Sequence, residues 1–281
     1  MGTVPPGVLG PSEPLRTLPV MENLPPFPAV ALKALSVLSG TETSLRELCD
    51  VVRPDPIFSA EILRFANSPL VAFSKEVSSV LQAAMLLGFR QLRKLVITIG
   101  LRSYLDSTPA RALHSCWHHS VACAMIAERI ARGSALDSEF AYTGGILHDI
   151  GRVVLATLHP GRYDTSPGSP ENLGQERTRF GMDHCQAGAL LISAWRLPES
   201  LAAITAHHHD PLSLGKDAPE VVRLSCRLAD ALGFATSPGG ACYDLQEVLA
   251  AFPEHMKVRL PESDDLAEEI DRQLKVIEAG K

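Results

Sequence analysis

Histidine and aspartate residues recur in this sequence inside stretches that are otherwise apolar. The clearest case is YTGGILHDIGRVVLATLHP, residues 142–160, in which His148 and Asp149 are adjacent. A buried imidazole or carboxylate costs free energy unless it finds a hydrogen-bonding or ionic partner. Neutral imidazole and carboxylate are also ligands for divalent iron, manganese and zinc. The His-Asp pair is therefore a candidate for half of a metal site.

Further polar residues share this apolar helical setting and could complete such a site. They are His119 in WHHSVACA, His184 in GMDHCQAGALL, His207, His208 and His209 in AHHHDP, and Asp230 in RLADALG. Helical bundles build metal sites from inward-facing side chains on several helices. A lone core histidine is more often hydrogen-bonded than metal-bound. We assign the remaining histidines to that class: His114, His118, His159 and His255.

Helices must position these residues, because apolar residues recur at intervals of three and four through most of the chain. Thr43 or Ser44 is predicted to cap the start of a helix, and Glu47 follows Ser44 by three residues, the spacing of a capping box. Asp55 followed by Pro56 predicts another helix start, and Gly88 predicts a break in a long helical pattern. We find no internal repeat and no convincing strand. The predicted fold class is all-α.

The helical pattern divides into parts at proline-rich and glycine-rich points. Residues 1–23 predict a flexible leader, because they are rich in Pro and Gly and have no periodicity. Pro109 separates a helical part over 24–110 from a second over 111–260, and 261–281 predicts a C-terminal helix. Gly40 and Gly133 are predicted to end helices.

Composition argues against several classes of protein. The net charge is −6, which disfavours non-specific nucleic-acid binding, and the basic stretch FRQLRKLVITIGLR is interpreted as a solvated helix face. No apolar run reaches the roughly 18 residues that span a membrane, and the start lacks the features of a signal peptide. We expect a cytoplasmic protein whose six scattered cysteines are reduced, buried small hydrophobes.

The order His, His-Asp, His, His-His, Asp resembles that of the HD superfamily of metal-dependent phosphohydrolases, and LHDIGR resembles its signature. Longer segments resemble the HDOD family, the HD-related output domain of bacterial signalling proteins. These segments are LPPFPAVALKAL, VVRPDPIFSAEILRFANSPL, AMLLGFRQLRKLVI and FGMDHCQAGALLISAWRLPESLAAITAHHHDP. The resemblance extends from residue 24 to about 235.

This resemblance implies an N-terminal helical bundle packed on an HD-like helical subdomain that holds one or two divalent ions of iron, manganese or zinc. The implied ligands are His119, His148, Asp149, His184, His208, His209 and Asp230. One ion would lie between His119, His148, Asp149 and Asp230. Asp149 would bridge to a second ion at His184 and His208, with His209 as a further candidate. A shift by one position among the three consecutive histidines stays open.

Two functions follow from the resemblance. The first is a signalling module that acts through a partner protein or a nucleotide second messenger, with Asn67 and Ser68 either on a docking face or in a simple helix-ending turn. The second is a metal-dependent phosphohydrolase acting on a nucleotide or cyclic nucleotide, with Asp149 and Arg152 as catalytic candidates.

Two departures from the related HD-GYP phosphodiesterases argue against hydrolysis of cyclic dinucleotides. HHHDPLSLGKDAPE replaces their Gly-Tyr-Pro segment, and Arg152 replaces a Lys. Arginine stays charged and cannot relay a proton as lysine can. Many HDOD proteins have lost ligands, whereas this chain retains them. The oligomeric state is not indicated.

Overall fold

The computed structural model describes residues 24, 26–36, 44–71, 76–107, 113–132, 134–163, 170–213, 215, 217–236 and 243–278. Within these ranges all regular elements are helices, which confirms the all-α prediction. Several predicted features lie outside the described residues: the leader 1–23, Gly40, Pro109, Gly133 and Cys242. None of the described helices has the length and apolarity that crossing a bilayer requires.

The N-terminal helices form a small bundle around one long helix. They are α1 (Ala29–Ser36), α2 (Leu45–Val52), α3 (Pro56–Ala66) and α4 (Val80–Asp106). The first three all pack against α4. The predicted start signals are confirmed: the Ser44 hydroxyl and the Glu47 carboxylate cap each other's backbone N–H groups, and Asp55 accepts bonds from the first turn of α3. Gly88 interrupts α4 with a φ of 76°, which explains the predicted break.

The second helical part carries the chemistry-bearing residues. It consists of α5 (His114–Ala131), α6 (Ser138–Leu147), α7 (Gly151–Leu158), α8 (Pro170–Phe180), α9 (His184–Ala194), α10 (Glu199–His207) and α11 (Ala218–Ala231). Helix α5 packs against α6 and α11, and α9 packs against both α7 and α10. The chain continues through α12 (Leu245–Ala251), α13 (Glu254–Lys257) and α14 (Ser263–Glu278).

One continuous hydrophobic core joins the two helical parts, because buried residues from Phe27 to Ile277 form a single cluster. Polar contacts cross the same boundary. Lys94 of α4 pairs with Glu128 of α5 at 2.8 Å, and Thr98 bonds the Tyr142 hydroxyl of α6 at 2.7 Å. The N-terminal bundle therefore packs directly on the helices that carry the candidate site. The five cysteines within the described ranges are free and buried.

Candidate metal centre

A sharp turn between α6 and α7 presents His148 and Asp149. His148 is the C-terminal cap of α6, and α7 begins at Gly151. A Cβ on Gly151 would lie 1.8 Å from the carbonyl oxygen of His184. Only glycine permits this approach, which holds the start of α7 against the start of α9. Asp149 consequently lies beside His184.

The other candidate ligands are placed by helix ends and helix faces. His184 is the first residue of α9, and Asp183 forms a capping box with Gln186 just before it. His208 is the C-terminal cap of α10, with His209 next in the chain. His119 lies within α5 and Asp230 within α11. Each of the seven side chains is at most 8% exposed.

Asp149 lies between the histidines. Its Oδ1 atom is 3.3 Å from Nε2 of His184 and 3.3 Å from Nε2 of His208, and its Oδ2 atom is 3.8 Å from Nε2 of His148. The ring centroids of His119 and His148 are 5.2 Å apart, and those of His208 and His209 are 4.2 Å apart. The side chains therefore form a continuous row from His119 to His209.

Hydrogen bonds to the Nδ1 atoms orient the rings. Backbone carbonyls lie 2.7 to 2.8 Å from Nδ1 of His119, His148 and His208. A carbonyl can only accept, so Nδ1 carries the proton and Nε2 presents a lone pair to the other ligands. His184 bonds the Glu176 carboxylate through Nδ1 at 2.7 Å. This outer support fixes the tautomer of metal-binding histidines in many proteins.

Several inward-facing atoms lack hydrogen-bond partners. They are Nε2 of His148, His184 and His209 and Oδ1 of Asp149. Oδ1 of Asp149 is 3.3 Å from Nε2 of His184 and of His208, so lone pairs of three side chains meet there when the imidazoles are neutral. Leaving a buried polar atom unsatisfied costs about 1–3 kcal/mol. A divalent cation among these lone pairs would satisfy them together, so the residues fit a metal ion.

The electrostatics favour the protonation states that bind metal. Burial lowers the pKa of His119, His148, His184 and His209, which keeps their imidazoles neutral near pH 7. Burial acts to raise the pKa of Asp149, but Arg152 and then His148 outweigh it and hold that pKa well below its usual range. The site therefore offers neutral imidazoles and one carboxylate.

Arg152 belongs to a buried polar ring around Asp149. Its Nε is 2.9 Å from Oδ2 of Asp149, and its Nη1 is 3.4 Å from the Tyr163 hydroxyl. Tyr163 donates to Glu176 at 3.2 Å, and Glu176 contacts His184 through the bond described above. Arg152, a catalytic candidate, therefore contacts the candidate ligand Asp149 directly within this ring.

Two cysteines and one glutamate join the site without having been predicted from the sequence. Cys226 Sγ is 3.4 Å from Nε2 of His119, and Cys185 Sγ is 3.8 Å from Nδ1 of His208. Cys185 directly follows His184, and Cys226 precedes Asp230 by four residues on one helix face. These positions next to predicted ligands are the sequence signals that could have identified the two cysteines. Glu176 had no such signal.

Within the buried centre, the candidate ligand atoms form two compact groups. Each has its atoms within 4.8 Å of one another: His184 with Cys185, His208 and His209, and His119 with His148 and Cys226. A third set, His148, Asp149 and His208, links them. Asp230 is buried near His119, and its charge opposes the lowering of that histidine's pKa by burial, but the compact groups of described residues do not include it. Cys226 also lies beside His119, which makes its thiol a further candidate ligand there.

The three consecutive histidines separate. His208 and His209 are buried at the site, whereas the half-exposed His207 pairs with Asp210 at 2.9 Å. Of the histidines assigned to other roles, His159 ends α7 as predicted. His114 and His118 pair with Glu278 on the surface.

Comparisons with known proteins match this helical architecture. A crystal structure of an HDOD domain protein with unknown function from Geobacter sulfurreducens is 23% identical, with a TM-score of 0.68 over 90% of this chain and 93% of that one. A protein from Marinobacter aquaeolei VT8, provisionally described as a signal transduction protein, is 22% identical, with a TM-score of 0.64 over 92% of this chain and 60% of that one. These structures share the fold.

Two further relatives have different descriptions. A protein of Shewanella amazonensis SB2B, provisionally described as a metal-dependent phosphohydrolase, is 18% identical, with a TM-score of 0.58 over 88% of this chain and 92% of that one. An uncharacterized protein of Treponema pallidum (strain Nichols) is 21% identical over 197 residues, which are 68% of this chain and 38% of that protein. This chain therefore matches well under half of the Treponema protein.

The family model of the HDOD domain matches residues 24–211. That range includes the N-terminal bundle and the HD-like helices up to His209, with the turn that carries His148 and Asp149. The chain belongs to the HDOD domain family.

Proposed function

We propose that this chain is a signal-transduction module whose HD-like core holds a divalent metal in a closed centre and whose output passes to a partner protein or nucleotide messenger. Membership of the HDOD family supports the signalling role. The observation that carries the proposal is the set of buried atoms without hydrogen-bond partners on His148, Asp149, His184 and His209.

The donor set limits the choice of metal. Imidazole and carboxylate ligands suit iron, manganese and zinc, and adjacent thiols favour zinc or iron. His184, His208, His209 and Oδ1 of Asp149 would hold one ion, and His119 and His148 with Cys226 would hold another. A bound ion would supply a Lewis acid that also lowers the pKa of coordinated water.

Burial favours a regulatory centre over a catalytic one. Catalytic metal sites keep a coordination position open to water or substrate, whereas structural sites are closed. Here every candidate ligand is at most 8% exposed. Arg152 also contacts Asp149 Oδ2 at 2.9 Å. A phosphodiester could reach the metal only after Arg152 and the buried candidate ligands had moved apart.

The N-terminal bundle offers a surface for a protein partner. Met85 and Leu81 lie one turn apart on α4 with exposed fractions of 64% and 41%, and Ile57 of α3 is 61% exposed. Large exposed apolar side chains are typical of interaction surfaces when they cluster. The Asn67 side chain instead holds the backbone of Val77 through two bonds of 2.8 and 2.9 Å. We therefore place the docking face near Met85 and not at Asn67.

A metal-dependent phosphohydrolase is the second candidate. The retained ligand set favours it, as does the Shewanella amazonensis structure described as metal-dependent. In that case Asp149 and the metal would act on a nucleotide phosphoester, after a movement that opens the site.

Elemental analysis by plasma mass spectrometry tests the metal centre. We expect iron, manganese or zinc in the native protein, a loss in Asp149→Ala, and no loss in His207→Ala. His207 is a matched control because it adjoins the ligands yet pairs with Asp210 on the surface. Equal metal content in all three proteins, or none after reconstitution, would contradict the proposal.

Metal-loaded protein is then assayed with a panel of cyclic nucleotides, cyclic dinucleotides and a chromogenic phosphodiester. The regulatory proposal expects no steady turnover. Turnover that requires metal and disappears in Asp149→Ala would instead establish the phosphohydrolase.

A further inference from the structure

A second group of metal-binding side chains lies on the surface, apart from the buried centre. His114 and His118 are one turn apart on α5, and Glu278 is the last residue of α14. Their ligand atoms all lie within 4.8 Å of one another. Both Nε2 atoms converge on Oε1 of Glu278, at 3.3 Å from His114 and 2.7 Å from His118.

The end of α14 is fixed in place by arginines from the N-terminal bundle. Arg64 of α3 donates to the backbone carbonyls of Val276 and Ile277, and Arg102 of α4 also donates to Ile277. These carbonyls have no partner inside the helix, because the last turn lacks following N–H groups. The arginines therefore hold Glu278 in position beside α5.

We propose that His114, His118 and Glu278 form a surface site for a borderline divalent cation such as Zn²⁺, and that the bound cation fastens the C-terminal helix to α5. Two histidines at i and i+4 present their nitrogens on one helix face, as in known zinc motifs. A carboxylate from another helix adds the third ligand, and water completes a tetrahedral set.

The observed distances fit this ion. With metal–ligand bonds of about 2.0–2.1 Å, a tetrahedral site separates neighbouring ligand atoms by about 3.3–3.4 Å. The contact of His114 with Glu278 already has that length. The contact of His118 at 2.7 Å must open by about 0.6 Å. The three side chains are 30% to 57% exposed, so they have room to adjust.

The site differs from the buried centre in its consequences. A cation at this surface site would link α5, which carries His119 of the buried centre, to α14. Because Arg64 of α3 and Arg102 of α4 bond the end of α14, the link would extend to α3 and α4. It would thus stabilise the joint between the C-terminal helix and both helical parts. Its occupancy does not depend on whether the buried centre binds metal.

Equilibrium dialysis of the full chain with Zn²⁺ is the test, with bound zinc counted for each variant. We expect His114→Ala and His118→Ala each to bind one equivalent fewer than the native protein, and Glu278→Gln to bind that equivalent more weakly. His255→Ala is the control, because His255 is exposed and lies outside both groups. Asp149→Ala should lose only zinc of the buried centre, so the two sites are distinguished.

Two further measurements report on the same site. Zn²⁺ should raise the Tm of native protein and of His255→Ala by more than that of His118→Ala. The Trp117 ring lies 5.2 Å from the His118 ring and 6.5 Å from the His114 ring between centroids, so Co²⁺ should quench its fluorescence. In the Trp195→Phe background, Trp117 is the remaining tryptophan. Equal zinc stoichiometry and equal quenching in native protein and the His114 and His118 variants would overturn the proposal.

Discussion

Arg152 and Asp149 form an ion pair in the interior of the HD-like helices, with Nε 2.9 Å from Oδ2 and both side chains almost fully buried. The pair leaves Oδ1 of Asp149 facing His184 and His208. Arg152 therefore decides which carboxylate oxygen is available to a metal. Because the arginine stays ionised, it also keeps Asp149 charged when no cation is bound.

Removing Arg152 should be strongly destabilising. Arg152→Met leaves a buried carboxylate without its charge partner, and we expect a loss of about 3–5 kcal/mol in the free energy of unfolding. Urea denaturation with a chelator present measures it. The double variant Arg152→Met with Asp149→Asn should recover part of the lost unfolding free energy, since it no longer buries an uncompensated charge. Arg53→Met is the control, because its exposed pair with Asp50 contributes less than about 1 kcal/mol.

The packing of Gly151 against α9 makes a second prediction. Gly151→Ala would place a Cβ 1.8 Å from the His184 carbonyl oxygen, so α7 and α9 must separate. We expect a loss of about 1–3 kcal/mol in unfolding free energy together with weaker metal binding, since Asp149 and His184 move apart. Gly174→Ala is the matched control. Gly174 lies in α8 with open space around it, and there alanine should be neutral or stabilising.

If Gly151→Ala and Gly174→Ala had the same stability and metal content, the close approach of α7 and α9 would not determine the site geometry.

The metal-free protein should lose stability in mild acid. Burial lowers the pKa of His119, His148, His184 and His209 in the folded state. Below about pH 6.5 these histidines become protonated in the unfolded chain but stay neutral in the folded chain. The free energy of unfolding therefore falls as pH falls. The slope approaches about 1.4 kcal/mol per pH unit for each such histidine. Above pH 7.5 this contribution is constant.

Asp149 contributes to the free energy of unfolding over a different pH range. Its folded pKa is lowered, so its stabilisation is complete above its usual pKa near 4 and is lost only at more acidic pH. Urea unfolding at several pH values between 7.5 and 5 measures the histidine effect. A flat profile over that range would contradict buried neutral imidazoles.

Cys226 should set the metal preference of the group around His119. Its Sγ is 3.4 Å from Nε2 of His119, and thiolates favour zinc over manganese. We expect Cys226→Ser to weaken zinc binding about ten- to a hundredfold and to leave manganese binding nearly unchanged. Competition titrations with a zinc indicator measure the change. Cys123→Ser is the control, because Cys123 is a buried cysteine outside the ligand groups of the described residues.

The sequence by itself determined the local elements of this protein. Ser44 with Glu47, and Asp55 with Pro56, start helices through hydrogen bonds that span only two or three residues, so their spacing alone predicts them. Gly88 breaks α4 because it adopts a positive φ. The recurrence of apolar residues at intervals of three and four predicted the all-α fold class. The polar residues within apolar helices, with the family resemblance, predicted the candidate ligands.

Only the tertiary structure decided which of these residues meet. His207 turns to the surface while His208 and His209 enter the core, a choice that depends on how α10 packs against α9. Cys226 is beside His119, and Glu176 orients His184, through contacts between helices distant in sequence. Hydrogen bonds within a helix follow from spacing, whereas such contacts depend on the packing of several helices at once.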